Sequence, residues 1–111
     1  MKNYVQDDDQ LTLTAPSGGV VSGLAYLIGA LLVVAAVTAD EGDPFVGLTE
    51  GVFTLPKTTG EAWSEGAKLY WNDGTQKLTT TSGGNTLVGA AAAAAESGDT
   101  TGTALLDGVV R

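Results

Sequence analysis

The sequence predicts an all-β fold, a single β-sandwich or barrel behind an extended N-terminal arm. Three observations predict it. Glycine, alanine and threonine supply 16, 15 and 15 of the 111 residues. Thr and Val suit a pleated, half-buried surface that Gly punctuates with turns. Apolar or alternating runs recur between Gly-, Pro-, Ser- and Asn-rich breaks, about eight of them, at the spacing of a sandwich or barrel. Finally, the length is that of one domain, without an internal repeat.

The elements follow in order. Met1–Asp9 is polar, with one aromatic and one aliphatic residue (Tyr4 and Val5), and reads as an arm; the domain boundaries are 1–10 for the arm and 11–111 for the body. Leu11-Thr12-Leu13-Thr14 alternates strictly, which marks a strand with one wet face. Pro16-Ser17-Gly18-Gly19 is a turn. Val20–Ile28 and Leu31–Val37 are apolar runs split by Gly29-Ala30, read as two strands buried on both faces. Ala39–Pro44 is an acidic loop. Phe45–Leu55 reads as one strand containing Gly47 and Gly51, where a bulge or a close backbone approach is expected. Pro56–Gly66 is a loop with one helical turn at Glu61-Ala62-Trp63. Lys68–Trp71, Asn72-Asp73-Gly74 and Thr75–Thr81 form a hairpin. Alternation along it sends Leu69 and Trp71 to one face and Tyr70 to the other, so one of the two large aromatics is buried and the other partly exposed. Thr86–Ala95 is rich in Ala, the best helix former. Its β neighbours and short length favour a strand whose small side chains admit another backbone. Thr103–Val110 closes the domain.

Composition excludes several functions. There is no Cys and no His, which removes thiolate chemistry, disulfides, and the commonest general base and metal ligand. Five basic against 13 acidic residues give a net charge of −8, so nucleic acid is a disfavoured partner. No phosphate-binding glycine loop and no nucleophile elbow occurs. The runs Asp7-Asp8-Asp9 and Asp40-Glu41-Gly42-Asp43 lack the staggered spacing of a calcium loop and read as solvated charge. The apolar core Leu24–Val37 would make a helix of about 21 Å, short of the roughly 30 Å of hydrocarbon in a bilayer. Its acidic flanks fit neither a membrane anchor nor a signal peptide. The chain is therefore expected to be no enzyme, with no cofactor, no metal and no membrane partner. Charged residues make up only 16%, low enough that part of the surface is expected to meet another protein.

The order and spacing of several segments carry a resemblance. MKNYVQ, LTLTAP, SGGV, LIGALL, GVFTLPK, KLYW, SGGNTLVG and ESGDT follow one another across the whole chain without large gaps. Together they resemble the capsid decoration, or cement, proteins of tailed phages and prophages. The arm departs from such relatives at Asp7-Asp8-Asp9, where a turn is usual. The resemblance implies a sandwich or barrel of jelly-roll type on the outer surface of a phage head. There it would bridge neighbouring copies of the major capsid protein as a homo-oligomer, trimer or dimer. Tyr4, Val5 and Gln6 of the arm are the first candidates for contact with the shell, followed by Trp63 and the loop residues Asp40 and Asp43. The competing reading is an accessory module for carbohydrate or host-surface adhesion, with Trp63 and Trp71 as stacking platforms.

Overall fold

The computed structural model describes residues 10–107, and among them every regular element is a β-strand. The first four strands are β1 (Gln10–Thr14), β2 (Ala25–Ile28), β3 (Leu31–Ala35) and β4 (Pro44–Leu48). They form an antiparallel sheet in the order β1-β4-β3-β2. The remaining five are β5 (Glu50–Pro56), β6 (Lys68–Asn72), β7 (Lys77–Thr79), β8 (Thr86–Ala91) and β9 (Thr101–Asp107). Their order is β5-β9-β8-β6-β7. A parallel bridge from Lys57 to Leu78 draws the two outer strands of this second sheet together at one end, curling it.

The run Phe45–Leu55 is not one strand. Thr49, only 4% exposed, separates β4 from β5 and passes the chain from the first sheet to the second. The two sheets meet over a shared core. Ala25, Leu32 and Val34 of the first sheet pack with Leu55, Leu69, Trp71, Leu78, Val88 and Leu106 of the second. A smaller cluster joins Val33, Ala35 and Phe45 of the first sheet to Ala15 and Val20 of the β1–β2 connection. Adjacent β3 residues enter different clusters, Val33 one and Val34 the other, so this strand is apolar on both faces as its unbroken sequence predicts.

Other expectations meet local corrections. Val20–Ile28 is strand only from Ala25; before it, Val20 makes an isolated bridge with Ala39 and Val21–Leu24 are exposed. No helical turn forms at Glu61–Trp63, because Trp63 pairs through its backbone with Ala95 in an antiparallel bridge. The hairpin turn occupies Asp73–Gln76, so β7 is shorter than the threonine run. Asn72 Oδ1 organises that turn by accepting from the N–H groups of Gly74 (3.0 Å) and Thr75 (3.3 Å).

The alanine-rich segment is a strand through Ala91, and its small residues do admit a neighbour. A Cβ on Gly89 would stand 2.0 Å from the Leu105 carbonyl oxygen. Trp71 is buried and Tyr70 half-buried, the outcome that alternation along β6 predicts.

Candidate docking surfaces

Each candidate contact residue has a definite place. Tyr4, Val5 and Gln6 lie outside the described residues. Asp40 and Asp43 are exposed on the loop between β3 and β4. The loop is braced against the 16–19 turn: Glu41 Oε1 accepts from the Gly18 N–H at 3.2 Å, and the Gly42 N–H donates to the Ala15 carbonyl at 3.0 Å. Gly19 belongs to this brace, since at φ +75° a Cβ there would meet the Ala39 carbonyl at 2.6 Å.

Trp63 is a correction. It is 3% exposed and presents no face to a partner. Its ring lies over Gly102, where a Cβ would approach ring carbons to 2.3 Å. Lys57 Nζ sits 5.6 Å from the ring centroid. Trp71 is 1% exposed, with its Nε1–H donating to Asp73 Oδ1 at 3.2 Å. Both stacking platforms of the carbohydrate reading are therefore internal, and that reading loses its mechanism.

Sequence reasoning missed two features. The first is a clasp beneath the loop 57–63. Lys57 is completely buried and donates from Nζ to the Thr58 carbonyl at 3.0 Å. Glu61 accepts from the Thr79 hydroxyl at 2.5 Å and the Thr80 N–H at 2.8 Å. Burial pushes the Glu61 carboxyl up, but hydrogen bonds from Thr79 and Thr80, with the Lys57 charge nearby, hold it below its ordinary value of 4.5. No sequence pattern announces a lysine buried at a strand end.

The second feature is an exposed apolar ribbon. Residues 20–25 run antiparallel to 34–39, joined by Ala35 N–H to Leu24 O (2.9 Å), Gly23 N–H to Ala35 O (2.8 Å) and Val20 N–H to Ala39 O (2.9 Å). Ser22 adds bonds to Thr38 and Ala36. Val21, Leu24 and Val37 of this ribbon are 52%, 44% and 45% exposed. Beside it lies an open groove of about 440 Å³, walled by the 16–19 turn, Val21, Tyr26, Leu27, Asp73 and Gln76. The second sheet carries another exposed apolar pair, Val52 and Leu105, directly opposite each other on β5 and β9.

Among the described residues, no three carboxylates gather closely enough to share a metal ion. No helix there is long and apolar enough to cross a membrane; the apolar run is strand and ribbon instead.

The phage cement protein family matches residues 5–106 of the chain. The chain belongs to that family. Its role is thus structural, in association with a phage capsid. No curated protein and no solved structure matches the chain.

Proposed function

We propose that this cement protein decorates the outer surface of a phage head and stabilises it by bridging neighbouring major capsid protein subunits. The family match across nearly the whole chain carries this reading. The net charge of −8 supports an external position, away from packaged DNA. A clamp that binds only the assembled lattice stabilises it by mass action. Individually weak contacts suffice when a dimer or trimer holds several shell subunits at once, because the later contacts form at high effective concentration. The N-terminal segment 1–10, with Tyr4, Val5 and Gln6, and the loop residues Asp40 and Asp43 make contacts with the shell in this scheme.

The test is sedimentation of the purified chain with expanded heads from the phage that encodes it, stripped of this protein. The chain is expected to co-sediment with heads, to raise the temperature at which they break, and to ignore unassembled capsid protein. Removing residues 1–9 should leave the body folded and lower occupancy. Heads that take up none of the full-length chain would refute the proposal; full occupancy by the truncated chain would refute the role of the segment alone.

A further inference from the structure

Resting on that reading, we infer that the ribbon of Val21, Leu24 and Val37, with the adjoining groove, is the face that docks on the shell, and that it receives a capsid-protein segment carrying an apolar side chain beside lysine or arginine. The apolar half of this specificity comes from exposure. Three large aliphatic side chains stand near half-exposed in one short ribbon, and exposed apolar surface of that kind marks interaction sites. The ribbon is held by its bonds to Ala35 and Ala39, by the turn that the Leu24 N–H closes on the Val21 carbonyl (3.1 Å), and by the Val21 N–H donating to Tyr26 Oη at 2.8 Å. Little ordering is then required of this side on binding.

The basic half comes from the charges around it. Asp73 stands in the groove wall, and among the described residues none that walls the groove is cationic. The loop of Asp40, Glu41 and Asp43 is tied to the 16–19 turn, which also lines the groove. Among the described residues the cations are Lys57, Lys68 and Lys77, and all belong to the second sheet or its connection. An apolar centre with a rim of one sign selects a partner of the other sign and speeds its approach.

The experiment compares V21E, V37E and the double substitution D40K/D43K with L105E as a control on the other exposed apolar pair. All these side chains are exposed, so thermal unfolding should be close to wild type. Affinity for stripped heads is expected to fall at least tenfold in V21E and V37E and to stay within twofold in L105E. D40K/D43K should also bind weakly, with less loss of affinity on adding salt than wild type shows. Wild-type binding by both ribbon variants overturns the assignment. So does an equal loss in L105E. If V21E and V37E instead break an oligomer of the free chain and leave head affinity intact, the ribbon's occupant is a second copy and the inference fails. If the wild-type chain does not bind heads, the proposed function itself fails and this docking with it.

Discussion

Substituting Gly102 by alanine tests how tightly the second sheet is built. Gly102 lies in β9 facing Trp63, and an added Cβ would stand 2.3, 2.7 and 2.9 Å from three ring carbons. Real Cβ atoms do not approach so closely, so the ring or the strand must move. Neither is free to. The Trp63 backbone is bonded in both directions to Ala95, at 2.9 and 3.1 Å, and β9 is held between β5 and β8. Overpacking of this kind costs about 1–3 kcal/mol, and two rigid neighbours place G102A at the upper end. At roughly 2 cal/mol/K of unfolding entropy per residue, a chain of this length loses about 4 °C of Tm per kcal/mol, so a fall of about 8–12 °C is expected. Calorimetry or thermal circular dichroism measures it. The decisive control is a double-mutant cycle with W63L, whose smaller side chain leaves room for the methyl group. G102A should cost at least 1 kcal/mol less in that background, on the order of known couplings between touching residues. A G102A protein with wild-type Tm, or equal costs in both backgrounds, would refute the steric argument.

Three further outcomes are expected. Glu61 is more acidic when folded than when unfolded. Its contribution is therefore complete above about pH 4.5 and is lost as pH falls through the lower, folded value. E61Q should flatten the acid limb of stability in urea titrations at pH 3–5, and an unchanged acid limb would remove Glu61 from that role. K57M keeps the packed stem and deletes a buried charge, while Glu61 retains its threonine donors; stability should stay within about 1 kcal/mol of wild type or rise. K57A should lose about 2–4 kcal/mol by opening a cavity under Trp63, and equal losses in the two variants would show that the ammonium, not the stem, matters. G89A would push against the Leu105 carbonyl and should lower Tm by roughly as much as G102A; a neutral result would mean that β8 and β9 separate more easily than their pairing implies.

The fold class was legible because period-2 alternation and glycine breaks survive in the raw sequence, as along Leu69-Tyr70-Trp71. Val21–Leu24 and Phe45–Leu55 depart from the sequence pattern for one physical reason. The pattern predicts buried strand for the first and a single strand for the second, because apolar content reports affinity for a nonaqueous neighbour without saying which neighbour. In the ribbon no neighbour within the described residues fills that role; at Thr49 the chain changes sheets within a continuously β-like stretch. The sequence leaves Trp63 a candidate contact because a lone tryptophan in a loop has no alternating partners to reveal its direction. Its burial depends on Gly102, 39 residues away. The acidic loop was legible from charge alone, whereas the bonds of Glu61 to Thr79 and Thr80 arise only when the chain after β5 meets β7.

The crossing at Thr49 also orders events at the ribosome. Among the described residues, every strand of the first sheet precedes it in the chain, and every strand of the second follows. The first sheet can complete its hydrogen-bond ladders while the rest is still being translated, but Ala25, Leu32 and Val34 then wait without their cover. That cover is finished last, when β9 arrives to pair Asp107 with Glu50, 57 residues upstream. A nascent half-protein with an apolar face is exposed to aggregation, and slowing translation after Thr49 should lengthen that exposure.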